Sequence, residues 1–328
     1  MGFSEKVLEL DAAAETDRIA ARLRDQVCKE CKRRGAVIAL SGGIDSSVVA
    51  GLCARALGPK RCIGLLMPER DSSEDTLAIS RSVAEAFGFE WVHEDATPML
   101  EGMGCYRRRD EAIRRVFPEF GEGYRFKIVL PGLSSGKTYN VYSIVIERPD
   151  GEQIKQRLPL DAYLQIVAAT NFKQRVRKTM EYYYADKLHY VVTGTPNRLE
   201  YDQGFFVKNG DGSADVKPIA HLYKTQVYQL ADYLGVPTAV SQRPPTTDTY
   251  SLSQGQDEFY FALPHRQMDL CLWAKNHGVP AAEVAPVVEL TVEQVEWVYA
   301  DIDKKRATTR YMHLPPLLIE EVDELRRP

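Results

Sequence analysis

The stretch "LSGGIDSSVV", residues 40–49, decides the fold of this 328-residue chain. It follows the apolar run "AVIA", which reads as a short, fully buried parallel strand, and it leads into "SSVVAGLCARAL", whose apolar positions recur with helical period. A strand, a tight Gly-Gly turn and a helix beginning near Ser46 aim backbone N–H groups and the positive end of the helix at one point, which is an anion site. Gly42 and Gly43 permit close approach of phosphate oxygens, and Ser41, Ser46 and Ser47 add hydroxyl donors. Asp45 is the odd member. A carboxylate beside phosphates is repulsive unless a metal lies between them, so it implies Mg²⁺.

Outward from this loop the pattern repeats. Residues 11–33 read as an amphipathic helix closed by Gly35. "CIGLLMP" (62–68) is a second strand, and a helix follows with a cap at Ser72 or Ser73 and an end at Gly88; "FEWVHED" (89–95) is a third strand. This alternation predicts an α/β fold with a doubly wound parallel sheet. It breaks at 118–160, where Gly/Pro turns, "PDG" at 149–151 and the β-alternation of "YNVYSIVIE" (139–147) predict an inserted β-hairpin. The order resumes with a helix over 164–187, a strand at "HYVVTGT" (189–195) and a helix ending at Gly235. Beyond 255 the chain reads as helical. The resulting division is a core of 1–117 and 161–254, an insert of 118–160 and a helical C-terminal extension of 255–328.

A formal net charge of −4 with 27% charged residues lacks the basic excess of a nucleic-acid binder. No basic-then-apolar leader is seen, and no apolar stretch approaches the roughly 18 residues that span a bilayer. The expectation is a cytoplasmic enzyme with no nucleic-acid or membrane partner. Six cysteines, at 28, 31, 53, 62, 105 and 271, lack the density of a disulfide framework and read as reduced thiols. Cys28 and Cys31 form a C-x-x-C within a helical pattern that puts Leu23, Val27 and Cys31 on one face, so they read as core-facing thiols.

Two other nucleotide motifs are excluded. "PGLSSGKT" (131–138) has Pro131 where a Walker loop needs glycine and leads into a strand-like run, and no G-x-G-x-x-G occupies the first strand-helix turn. "SGGIDSS" after a buried strand instead resembles the pyrophosphate-binding loop of the ATP pyrophosphatase superfamily, which has an adenine nucleotide α-hydrolase-like fold. "NFKQRVR" (171–177), "GTPNRLEYDQGFFVKNGDGSADVKPIAHLYKTQV" (194–227) and "PPTTD" (244–248) make the chain similar to the NAD⁺ synthetase family within it. The resemblance runs from about residue 11 to 250, without the insert, and returns near "DIDKKR".

That resemblance implies an ammonia-dependent ligase using ATP: the nicotinate carboxylate of deamido-NAD⁺ is adenylated with release of pyrophosphate, and ammonia displaces AMP. Carried over position by position, Ser41, Gly42, Gly43, Asp45, Ser46 and Ser47 would hold the ATP phosphates, with Leu66 or Met67 beside the adenine. Thr195, Lys224 and Thr246 match contacts to ATP, and Asp45 and Glu200 would share Mg²⁺. Asp45 and Lys224 would carry the chemistry. Arg177, Lys208, Asp215, Lys304 and Lys305 match contacts to the dinucleotide acceptor. The family implies a homodimer, whose interface the apolar runs of the insert would extend. Since 35 residues precede Ala36, the expectation is that ammonia is free or delivered by a separate glutaminase.

The family pattern departs at Val207 and Asn209, at "KKR" (304–306) in place of "HKR", and in the longer stretch after "PPTTD". All these lie on the acceptor side. They keep open a related ligase adenylating another carboxylate. An RNA-thiolating relative using the C-x-x-C is opposed by the acidic balance and the single cysteine pair.

Overall fold

The structure, a computed structural model, describes residues 2–73, 75–129, 142–243, 249–252, 254–255, 260–261 and 263–322. The chain runs through α1 (Ala12–Asp25), β1 (Ala36–Ala39), α2 (Ile44–Leu57), β2 (Cys62–Leu66), α3 (Thr76–Phe87), β3 (Glu90–His93), α4 (Thr97–Gly102) and α5 (Cys105–Arg114). After these come β4 (Arg125–Val129), β5 (Ser143–Glu147), β6 (Gln153–Arg157), the long α6 (Leu160–Leu188), β7 (Val191–Val192) and α7 (Arg198–Gln203). The last part is α8 (Lys224–Leu234), α9 (Thr238–Ser241), α10 (His265–Asn276), α11 (Ala281–Val284) and α12 (Val292–His313). No helix among the described residues is long and apolar enough to cross a membrane.

The main sheet is parallel with order β3-β2-β1-β7. Successive side chains of β1 serve opposite layers, because strand side chains alternate between faces. Ala36 and Ile38 join the core built with α1, α2, α3 and α8, whereas Val37 joins the core under α6 with Tyr184 and Ala185. The doubly wound architecture therefore follows from a β1 that is buried on both faces.

Two boundaries differ from the sequence reading, each for a local reason. The first helix loosens into a π-type turn at Gln26–Glu30 and stops by Lys32, whose φ of 53° is left-handed. Gly35 is required by crowding instead: a Cβ there would lie 2.3 Å from the Arg61 carbonyl oxygen. The third helix starts at Thr76 with no side-chain cap from Asp75, and the Ser73 hydroxyl is spent on that of Thr76 at 2.7 Å. Gly88 and Gly235 do close their helices with left-handed φ values of 73° and 74°.

The inserted segment contains the expected hairpin, β5–β6, and β4 adds a third antiparallel strand beside it. The "PGLSSGKT" turn lies outside the described residues. Phe126 and Ile128 on β4 pair with Ile146 and Ile144 on β5, and all four are fully buried against Ala112 and Ile113 of α5 and Ala162 and Ile166 of α6. The apolar runs thus find their cover within the chain, and they do not need a second copy to bury them. The C-terminal helices also pack inward, since α10, α11 and α12 enclose Leu8, Leu199 and Tyr223 in a common core.

Replacing Phe126 with alanine removes the largest of these side chains and is expected to destabilise the protein by about 3–5 kcal/mol. A lower urea midpoint with unchanged slope would register this. An unshifted midpoint would show that the inserted sheet unfolds independently of the core.

Candidate active site

A cavity of about 570 Å³ opens at the carboxyl ends of β1, β2 and β7. In a doubly wound sheet this is where ligands bind, at the point where the strand order reverses, here between β1 and β7. Each strand end delivers its own set of residues. Ser41–Ser46 come from β1, Met67 from β2, and Thr195 and Glu200 from β7; Lys224 and Arg177 complete the wall from α8 and α6.

The turn after β1 is shaped by Gly42, whose φ is 74°, and by Gly43, which stands at the N-cap of α2. Ser46 Oγ donates to the Gly43 carbonyl at 3.0 Å and accepts from the Ser41 N–H at 3.3 Å, tying the turn to the first helical residues. Ser47 is a correction to the sequence reading. Its side chain is fully buried and its hydroxyl donates to the Gly43 carbonyl at 2.9 Å, so it builds the turn and does not line the cavity.

Asp45 sits in the first turn of α2 with two partners. Lys224 Nζ donates to its Oδ2, and Asn197 Nδ2 donates to Oδ1 at 3.0 Å. Asn197 also caps α7, accepting from the Glu200 N–H at 3.2 Å while Glu200 Oε2 accepts from the Asn197 N–H at 3.1 Å. One asparagine therefore orients both carboxylates. Burial and the neighbouring Asp45 push the Glu200 carboxyl above the usual range. Burial also disfavours the Lys224 charge, but the two carboxylates outweigh it and the ammonium is held more firmly than usual. The start of α8 is fixed by Asp269, which accepts from the N–H groups of Lys224 at 3.2 Å and Thr225 at 2.7 Å. Burial pushes that carboxyl up to about 7.

Asp45 and Glu200, set around Lys224, form an oxygen-donor set of the kind that suits a hard divalent cation. Among the described residues no group of three or more His, Cys, Asp or Glu is placed to hold a metal. Phosphate and water would have to supply the other ligands, as is usual for Mg²⁺.

The other positions divide sharply. Arg177 lines the cavity and donates from Nε to the Met67 carbonyl at 3.1 Å. Lys208 lies outside the wall and donates to the carbonyl of Tyr311, which lines it, at 2.8 Å. Asp215 is also outside it, occupied with the Val192 N–H at 2.8 Å. Lys305 turns away to Asp301 and the Tyr260 carbonyl, each at 2.6 Å, and Lys304 is exposed. Within one chain the structure does not bring these four to the cavity. Thr246 lies outside the described residues.

The sequence reading missed Asn197, although an Asn three residues before a Glu is a capping-box pattern that could have been read from "NRLE". It also missed Lys173 and the buried pair Lys178–Glu181, 2.6 Å apart, all of which line the cavity. Their spacing on α6 is that of any charged helix face, and only packing makes them internal.

The fold and the cavity define a doubly wound α/β protein with a polar cavity at the carboxyl ends of its parallel strands. A family model described as NAD synthase matches residues 15–114 and 138–310. The chain belongs to the NAD synthase family. It is 56% identical over 320 residues to the NH(3)-dependent NAD(+) synthetase of Rhizobium rhizogenes, covering 98% of this chain and 96% of that one. With the enzyme of the same name from Mesorhizobium japonicum it shares 57% over 318 residues, 97% of this chain and 100% of the other. Among solved structures, the NH3-dependent NAD synthetase of Campylobacter jejuni in complex with the nitrate ion has a TM-score of 0.61 at 20% identity, covering 95% of this chain and 100% of that one. The NMN synthetase of Francisella tularensis has a TM-score of 0.58 at 21% identity, covering 91% and 97%. These two share the fold.

Asn197→Ala should lower turnover about 10- to 100-fold by freeing Asp45 and Glu200, as loss of an orienting neighbour does at metal sites. The accompanying stability loss should be only about 1 kcal/mol, typical of an N-cap. Steady-state kinetics beside thermal melts would separate the two effects, and undiminished turnover would refute the orienting role.

Proposed function

We propose that this protein makes NAD⁺ from deamido-NAD⁺, ATP and ammonia. The observation that carries this reading is the meeting of Ser41–Ser46, Asp45, Glu200, Lys224 and Arg177 around one cavity, in a chain 56% identical to a named NH(3)-dependent NAD(+) synthetase. A carboxylate oxygen of the acceptor attacks the α-phosphorus of ATP, and pyrophosphate leaves with the bonding pair. The nitrogen lone pair of ammonia then attacks the acyl carbon, AMP leaves with the bonding pair, and the nitrogen gives up a proton to water to become the amide. No protein nucleophile is needed, so catalysis rests on positioning and charge neutralisation.

In this reading the turn at 41–46 and the first turn of α2 receive the phosphates, and Lys224 offers a fixed positive charge where pyrophosphate develops negative charge. Asp45 and Glu200 are the residues that would hold Mg²⁺, which supplies neutralisation of the phosphate charge. Met67, joined to Arg177 by a hydrogen bond, borders the adenine side, and Thr195 stands at the end of β7. All six cysteines are free thiols and play no part in this chemistry, which suits an enzyme of the cytoplasm.

Pairing of two chains belongs to the same proposal. Leu160 and Leu164, one turn apart on α6, are 69% and 55% exposed beside the inserted sheet, and a two-fold axis there would cover them. Lys208, Asp215, Lys304 and Lys305 would then act on the acceptor from the rim of the paired sites.

Incubation with ATP, Mg²⁺, ammonium and deamido-NAD⁺ should give NAD⁺, AMP and pyrophosphate by mass spectrometry; ATP consumption with no NAD⁺ would refute deamido-NAD⁺ as the acceptor. Asp45→Asn should cost roughly 100-fold or more in turnover with the fold intact. Replacing both Cys28 and Cys31 by serine should leave turnover within a few-fold, and a folded but inactive double variant would favour thiol chemistry. Leu160→Glu/Leu164→Glu should yield monomers by light scattering if the pairing is as proposed.

A further inference from the structure

A second charged cluster lies behind the adenine side of the cavity, and the chemistry above does not use it. Lys173 of α6 is 2% exposed although it borders the cavity. Its Nζ donates to Glu69 Oε1 at 2.9 Å, Asp71 Oδ2 at 2.8 Å and the Thr249 carbonyl at 3.0 Å. An ammonium has three hydrogens, and all three are spent. Lys173 therefore has no donor left for a phosphate, whatever its place in the wall.

The partners of Lys173 are held in turn. Glu69 accepts from the Tyr106 hydroxyl at 2.7 Å, and Asp71 accepts from Arg109 Nη1 at 2.5 Å. Burial opposes ionisation of Asp71, but Lys173 and Arg109 outweigh it and keep the carboxyl below its usual range. The cluster is thus charged and internally compensated, which is the condition for a buried ion network to persist. Arg243 Nη2 separately donates to Ser73 Oγ at 2.7 Å. The residues flanking 244–248 are consequently both tied to the segment 69–73 that follows β2, Arg243 through Ser73 and Thr249 through Lys173. That segment continues directly from Met67 and Pro68, which line the cavity.

We propose that Lys173 is a positioning residue for the nucleotide, clamping segment 69–73 and Thr249 into one wall on the adenine side. The inference rests on the reading of the cavity as an ATP site. It assigns Lys173 to the placement of the bound nucleotide and not to contact with it.

The test is Mg·ATP binding measured by calorimetry without acceptor, beside thermal melts and separate assays of NAD⁺ formation. Lys173→Met leaves Glu69 buried with one partner fewer, so its melt should fall. Lys173→Met/Glu69→Gln removes one charge of each sign and should melt within a few degrees of the parent. Its affinity for Mg·ATP should nevertheless be weaker by on the order of tenfold, because misplacing a wall by a fraction of an ångström is costly while the fold persists. Ser73→Ala, which removes the acceptor for the wall residue Arg243 and leaves the Lys173 cluster unaltered, should weaken binding by about threefold through the Arg243 tie. Parental affinity in both the double variant and Ser73→Ala would overturn the proposal, as would recovery of affinity together with the melt. A parent that binds Mg·ATP but makes no NAD⁺ would refute the acceptor assignment and leave the clamp standing.

Discussion

The ion pair between Asp45 and Lys224 is the constraint on which the site depends. It joins the first turn of α2, set by the strand β1, to the first turn of α8, set by Asp269 of the C-terminal helices. A charge pair at the mouth of a sheet is costly to desolvate unless further hydrogen bonds complete it. Asn197 makes that completion and, through the cap of α7, brings Glu200 into the same arrangement. Three helix beginnings thus converge on one point, and their positive ends favour anions there.

This convergence explains why the C-terminal helices are part of the machinery. Asp269 belongs to α10, and α10 is held by a core that includes Leu199 of α7 and Tyr223 at the edge of α8. The same elements that bury apolar surface aim the groups of the cavity. The inserted sheet plays a comparable part on the other side, since its buried face packs on α5 and α6, the helices that carry Arg109, Lys173 and Arg177. Rigid packing behind a polar site is what keeps charged groups from relaxing toward water.

The cavity has two characters as a result. Around Asp45 and Glu200 two carboxyl groups and one lysine meet at the cavity, an oxygen-donor set suited to a hard cation. Around Lys173 every donor is matched within the protein, so that region gives shape and no free valence. Both regions contain buried lysines paired with carboxylates, and only the partner count separates a group prepared for a ligand from one that holds a wall.

By itself the sequence determined the turn after β1, because that turn is local. Gly42, Gly43 and the serines around Asp45 lie within the seven residues 41–47, just after the buried strand 36–39, and the backbone conformation they require can be read from residue type alone. The alternation of strands and helices, and with it the parallel sheet, was legible for the same reason. What needed the tertiary structure was every relation across long separations. Ser47 looked like a donor beside Ser46 until the helix turned it inward, and Asn197 joined Asp45 only when β1 and β7 paired. Lys173 was one cation among several on α6 until packing supplied Glu69, Asp71 and Thr249 to it. Charges of identical type and spacing become solvated faces or buried clamps according to what the fold places over them, and that depends on long-range packing that residue type does not encode.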